Sequence, residues 1–148
     1  MELQRASHHI YRLEYHLVWT PKYRHPVFTE PYRTALKQII VKSGYDYHID
    51  TLEIEIPPDH IHALVSLPPR ISVSECMRIL KSISAREFFR MYPAIQEKYF
   101  WGGKLWSPSY YAETVGKRNE GAIRAYIKQQ LDHEKRHITQ LKQLKLFP

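Results

Sequence analysis

Near its start the chain alternates apolar and polar positions with a period of two. In YRLEYHLVWT (residues 11–20), Tyr11, Leu13, Tyr15, Leu17 and Trp19 fall on one side of an extended segment, which predicts a β-strand. Pro21 and Pro26 then bracket a basic loop, PKYRHP. From Thr29 to Ser43 the period becomes helical, with Tyr32, Leu36, Ile39 and Ile40 on one face, and Gly44 reads as the helix stop. DYHIDTLEIEIPP is extended again, with Ile49, Leu52, Ile54 and Ile56 as apolar positions. After the turn PPD, the segment HIHALVSLPP makes its hairpin partner. Ser72, followed three residues later by Glu75, matches a capping box. It opens a helix from about Val73 to Met91, with Met77, Leu80, Ile83, Ser84 and Phe88 inward, and Pro93 ends it. FWGGKLWSPSYYAETVG reads as a loop around Gly102 and Gly103, then a strand near Ser109 to Val115. A short polar link, 116–121, leads to a helix from about Glu120 to the region of His137, and the basic tail 134–148 extends that helix or frays.

Six of these elements in order give βαββαβ, the split unit of the ferredoxin-like α+β fold: an antiparallel sheet with two helices on one face. A last helix is appended. No internal repeat and no second domain is found, so residues 1–148 read as a single domain with a core from about 10 to 133. This fold hosts many functions, so function has to be argued from side chains.

Composition narrows the field. A chain of 148 residues can bury a core without disulfide or metal staples. Its 22 Lys and Arg against 15 Asp and Glu give a net charge of +7, which suits a polyanionic partner, nucleic acid being the commonest. Eleven tyrosines and three tryptophans suit a surface that stacks on exposed bases, although aromatics also fill cores. Cys76 is the only cysteine, which excludes an internal disulfide and any Cys-x-x-Cys zinc site and fits a reducing cytosol. The first residues lack the apolar block of a signal peptide, and no run approaches the length of a membrane span. A cytoplasmic protein with no membrane association is expected.

The strand HIHALVSL raises a chemical question. Side chains alternate between faces, so Ile61, Ala63, Val65 and Leu67 point one way and His60, His62, Leu64 and Ser66 the other. The all-apolar set should meet the helices, which leaves both imidazoles on the opposite face, close enough to share one metal ion. Alone, such a pair reads first as solvated imidazoles or as rings that stack on bases; it is also compatible with zinc, or with non-haem iron completed by a carboxylate. On the last helix, Tyr126 and Gln130 lie four residues apart and form a neighbouring pair. Alone, Tyr126 among Ile123, Ile127 and Leu131 reads as a packing aromatic. His133 and His137 have metal-compatible spacing but no third ligand near them, and read as a solvated face.

Together, PDHIHALV, YIKQQ with Tyr126 and Gln130, the loop PKYRHPVF and the segment GGKLWSPSYY resemble the small single-tyrosine HUH transposases. These are transposases of bacterial insertion sequences that move as single-stranded DNA, with related repeat-associated tyrosine transposases. The resemblance runs from about Tyr11 to His133. It implies that His60 and His62 ligate a divalent metal, Mg2+ or Mn2+, with Gln130 as third protein ligand and Tyr126 as nucleophile. A phenol titrates near pH 10, so forming its phenolate at pH 7 costs roughly 4 kcal/mol, a cost that a nearby metal lowers. The implied product is a 5′-phosphotyrosine, an ester that a second DNA 3′-hydroxyl can reverse without ATP.

The resemblance also implies single-stranded DNA with hairpin ends as substrate. It further implies a homodimer, since excision needs two cleavages, and in that dimer the last helix can pack against the partner's HUH site. The link from Gly116 to Gly121 permits such a swap and reads equally well as an ordinary connector. Lys22, Tyr23 and Arg24 after the first strand, and Arg78, Lys81, Arg86 and Arg90 on the second helix, are candidate DNA contacts. The alternative from another class is a non-catalytic single-stranded nucleic-acid-binding domain whose sheet aromatics stack bases. It accounts for the charge and the aromatics, but not for His60, His62, Tyr126 and Gln130 together.

Overall fold

The period-two segments become the two central strands of a four-stranded antiparallel sheet. The computed structural model describes residues 3–6 and 9–130. Strands β1 (Gln4–Ala6) and β2 (His9–Tyr11) form a small hairpin ahead of the sheet. Then follow β3 (Glu14–Trp19), a tight turn at Lys22–Arg24, α1 (Tyr32–Asp46), β4 (Asp50–Glu55), β5 (Ile61–Ser66), α2 (Val73–Met91), α3 (Pro93–Phe100) and β6 (Tyr111–Val115). Residues 120–130 are helical and are called α4. The sheet order is β4-β5-β3-β6, with every neighbouring pair antiparallel. From β3 to β6 this is the expected βαββαβ arrangement, with α4 appended.

Four local expectations need correcting. The strand expected over 11–20 is broken at Arg12 and Leu13 into β2 and β3. Helix α1 does not stop at Gly44 but runs through it to Asp46. The glycine serves a close approach instead: Ile49 donates its N–H to the Gly44 carbonyl at 2.8 Å, and a Cβ on Gly44 would sit 2.7 Å from the Ile49 carbonyl oxygen. Helix α3 adds an element that the apolar pattern does not predict. Pro93 cannot continue α2, yet its fixed φ suits the first turn of a new helix. At β4 the register steps between Thr51 and Glu53, which makes Leu52 the extra residue of a bulge.

The core lies between the sheet and helices α1 and α2. Leu17, Trp19, Ile61, Ala63 and Val65 from the sheet meet Leu36, Ile40, Met77, Leu80 and Phe88 from the helices. Ser84, read as inward, is fully buried, and its hydroxyl accepts the indole N–H of buried Trp106 at 3.0 Å. Ser72 caps α2 by accepting the Glu75 N–H at 3.1 Å, while the Glu75 carboxylate turns to Arg78, so half of the capping box forms. Cys76 is buried, which pushes its thiol up to about 12 and leaves it unreactive. Across the sheet, a second small cluster of Leu64, Val115 and Ile127, with Leu52 and Ile123, seats α4. His133, His137 and the tail 134–148 lie outside the described residues. Among the described residues no helix is long and apolar enough to cross a membrane.

The buried Trp106–Ser84 bond yields a stability prediction. Ser84→Ala strands the indole N–H in the core and should cost about 1–3 kcal/mol. Urea unfolding should show a lower midpoint with an unchanged slope.

Candidate active site

On the sheet face opposite α1 and α2, the strands set out a line of polar side chains. His62 lies across from Val18 of β3, and His16 lies across from Leu64 of β5 and Glu113 of β6. His16 and His62 are buried, at 4% and 5% exposure, so this face is not the open surface that a solvated pair would occupy. Sequence alternation did place both histidines of the HIH motif away from the core; what covers His62 is α4 and the neighbouring strands.

The hydrogen bonds assign the ring protons. The His16 Nδ1 is 2.8 Å from the Glu113 Oε1, and a carboxylate can only accept there, so Nδ1 of His16 carries the proton. In a neutral His16 the Nε2 is then bare, and it accepts from the His62 Nδ1 at 3.2 Å. The His62 proton therefore sits on Nδ1, and its Nε2 keeps a free lone pair. His60 reaches the same tautomer by another route, since its Nδ1 lies 2.7 Å from the Asp59 Oδ1. The Asp59 Oδ2 in turn accepts from Arg24 at 3.2 Å. Burial, and then the neighbouring His60 and His16, lower the His62 pKa to about 3, so its imidazole is neutral at pH 7. The His60 and His62 ring centroids are 4.7 Å apart.

Helix α4 brings the tyrosine to this point. Ile127 is fully buried and anchors the helix, while its neighbour Tyr126 stays half-exposed. The Tyr126 ring stands edge-on to His62 and His16, with centroids 5.6 Å and 6.0 Å away. Tyr126 is thus not the packing aromatic that its helical spacing alone implies; Ile127 fills that part. A cleft of about 500 Å³ opens here, lined by His16, His62, Tyr111, Glu113 and Tyr126 among others. Tyr111 donates to the Glu113 carboxylate at 3.2 Å, and that charge raises the Tyr111 pKa and holds the phenol protonated. Gln130 follows Tyr126 by one turn, with its amide nitrogen 3.5 Å from the Tyr126 carbonyl. Among the described residues no three His, Cys, Asp or Glu side chains form a metal cluster, so a cation beside His60 and His62 would need a donor of another type.

The candidate DNA contacts fall into two groups. Lys22, Tyr23 and Arg24 form the tight turn after β3, joined to the site through the Arg24–Asp59 pair. Arg78, Lys81, Arg86 and Arg90 lie on α2, on the far side of the sheet from His62, along a separate groove of about 770 Å³. Arg78 pairs with Glu75, and Arg86 and Arg90 share Glu87. Lys81 donates to the carbonyls of Ser107 and Ser109 at 2.8 and 2.9 Å. Sequence reasoning missed His16, Glu113 and Asp59. A signal existed for two of them: Asp59 directly precedes His60, and His16 alternates away from Leu17 and Trp19.

A family model described as "Transposase IS200 like" matches residues 9–130. The chain belongs to the IS200-like transposases. The ISDra2 transposase TnpA of Deinococcus radiodurans is 37% identical over 134 residues, 90% of this chain and 95% of that protein. The transposase for insertion sequence element IS200 of Salmonella typhimurium is 36% identical over 129 residues, 87% of this chain and 84% of that one. Among solved structures, a transposase candidate from Deinococcus radiodurans superposes with a TM-score of 0.70 at 33% identity, covering 86% of this chain and 97% of that one. A REP-associated tyrosine transposase bound to a REP hairpin shares the fold, with a TM-score of 0.59 at 16% identity over 84% of this chain and 72% of that one. As an IS200-like transposase, the protein acts in DNA transposition.

The tautomer assignment is directly testable in the metal-free transposase. Nitrogen-15 correlation spectra should show His60 and His62 protonated at Nδ1. In His16→Phe, the His62 preference for Nδ1–H should vanish while that of His60 persists.

Proposed function

We propose that this IS200-like transposase cleaves and rejoins single-stranded DNA at insertion-sequence ends through a covalent 5′-phosphotyrosine on Tyr126. One observation carries the reading: a half-exposed phenol stands edge-on to a buried, neutral histidine beside a second histidine in the same tautomer. With the proton on Nδ1, the neutral form of each imidazole presents Nε2 as the ligating nitrogen. The two histidines therefore suit a divalent cation, and the Gln130 amide, one turn along α4 from Tyr126, would be its third ligand. Bound there, Mg2+ or Mn2+ supplies a Lewis acid and a template for in-line displacement.

The protein's own residues do the rest. Three uncharged ligands would leave the charge of such a cation available to phosphate oxygens. Glu113 through His16, and Asp59 directly, hold the two rings in the ligating tautomer, as outer partners of metal-bound histidines do. Tyr126 attacks the scissile phosphorus, and the phosphotyrosine bond forms as the bond to the 3′-oxygen breaks. The phenolic proton leaves to solvent from the half-exposed ring, and the departing 3′-oxygen takes a proton from solvent to become the 3′-hydroxyl. Attack by another strand's 3′-hydroxyl reverses the step and frees the tyrosine. Lys22, Tyr23 and Arg24, and the α2 cations Arg78, Lys81, Arg86 and Arg90, serve as contacts to the DNA backbone and its hairpin ends. Such contacts position the strand without reading its bases.

Excision requires two cleavages, and a homodimer supplies two tyrosines. The glycine-flanked link 116–121 lets α4 lie over its own sheet, as here, or over a partner's. Mixed dimers of Tyr126→Phe and His60→Ala protomers separate these arrangements: adduct in the mixture that neither parent forms marks exchange of α4, and a silent mixture marks the arrangement in the single chain.

The central test incubates the protein with labelled single-stranded DNA from the element's flanks and Mg2+ or Mn2+, followed by denaturing electrophoresis. A protein–DNA adduct is expected. It should disappear in Tyr126→Phe and in excess chelator, and persist in Tyr111→Phe. DNA binding without adduct on any substrate would favour the non-catalytic reading. His16→Phe and Glu113→Ala should bind Mn2+ about 10- to 100-fold more weakly by titration, the usual loss for a missing outer partner.

A further inference from the structure

Two aromatic rings, one in the turn after β3 and one at the end of α3, are displayed rather than packed. Trp101 is 69% exposed and Tyr23 57%, whereas Trp19 and Trp106 are buried. Their ring centroids are 5.1 Å apart at an interplanar angle of 63°. His25 stands behind them, 5.6 Å from Tyr23 and 6.1 Å from Trp101.

The backbone that presents these rings is unusual. Tyr23, Arg24 and Trp101 have φ of 65°, 52° and 51°, the left-handed region where a side chain carries a steric penalty and glycine does not. Trp101 occupies the C-cap of α3, where glycine or asparagine would close the helix at lower cost. The two segments are nevertheless fastened together: Lys22 donates its N–H to the Leu105 carbonyl at 2.7 Å, and Pro21 bridges to Trp106. Large exposed rings held in unfavourable backbone conformations need a reason beyond folding, and such outliers gather at ligand sites.

Charge and position identify the ligand. The Lys22 ammonium lies 5.5 Å from the Tyr23 ring centroid, and Arg24 reaches Asp59, which holds His60. A ligand with flat apolar faces and flanking anions fits these groups, and unpaired nucleotides have that form. We propose that Tyr23 and Trp101 form a stacking platform for an unpaired base of the strand entering the His60–His62 site, with Lys22 and Arg24 on the adjoining phosphates. The proposal rests on the single-stranded DNA reading above and extends it to Trp101.

The tryptophans provide the measurement. With Trp19 and Trp106 buried, quenching by DNA reports Trp101. Tyr126→Phe protein in excess chelator, which cannot cleave, is titrated with a short oligothymidylate, and affinity is read in parallel from the anisotropy of a labelled strand. Saturable quenching is expected, with Tyr23→Ala and Trp101→Ala each weakening binding about 5- to 150-fold, the range for one stacked base. Tyr23→Phe and Trp101→Phe should retain most of the affinity. A strand of abasic spacers should bind the parent protein as weakly as oligothymidylate binds the alanine variants, a comparison that needs no altered fold. Equal quenching by inorganic polyphosphate, or equal affinity for the abasic strand, would overturn the platform. If adduct formation on flanking DNA succeeds while these comparisons fail, the platform falls alone. If stacking is found and no substrate ever yields adduct, the platform stands and the cleavage reading falls.

Discussion

A β-strand has two faces, and β5 has both covered. Its apolar set, Ile61, Ala63 and Val65, closes the main core against α1 and α2, while His62, Leu64 and Ser66 are buried on the other side. The proposed chemistry depends on this double cover. A histidine left in water would share its ring nitrogens with solvent, whereas burial keeps His62 neutral and makes a protein hydrogen bond decide its tautomer. Leu64, next on the same face, helps to seat α4 and so fixes where Tyr126 stands. One strand thus carries the fold on one side and the site on the other.

Much of this was legible in the sequence because its rules are local. Alternation along HIHALVSL assigned each residue to a face, and the Ser72 cap set the start of α2. The parts that escaped depend on long-range geometry. Gly44 looked like a helix stop because glycine often is one; its actual constraint, the Ile49 carbonyl, belongs to the chain that follows the helix. Pro93 reads as an ending from the sequence, although a residue that breaks one helix is also well suited to open another. Leu52 took its face from a bulge, and bulges leave little trace in a pattern of apolar positions.

The site divided in the same way. His60, His62 and Tyr126 stand out only through the family resemblance, since their spacing alone reads as solvated imidazoles and a packing aromatic, and the fold brings their rings together. His16 and Glu113 are 97 residues apart and meet only because β3 pairs with β6, so no local motif could announce them. The paired cations of α2 show the reverse case. Counted as charges they form a basic stripe, yet Glu75 and Glu87 already engage three of them, and exposed pairs of this kind are weakly held. A phosphate arriving there must compete with a carboxylate, which favours exchangeable contacts over fixed ones.

Tyr126 belongs to neither buried cluster, and the neighbour that anchors its helix, Ile127, is a separate side chain. Genetic damage at this codon would therefore leave the folding information intact. A decayed copy of the element would still encode a chain with the same sheet and the same basic surfaces. With Tyr126 as the nucleophile proposed above, in a cell holding intact and decayed copies the silent product would compete for the DNA ends that the active one needs, and accumulated wreckage would itself restrain the element's spread.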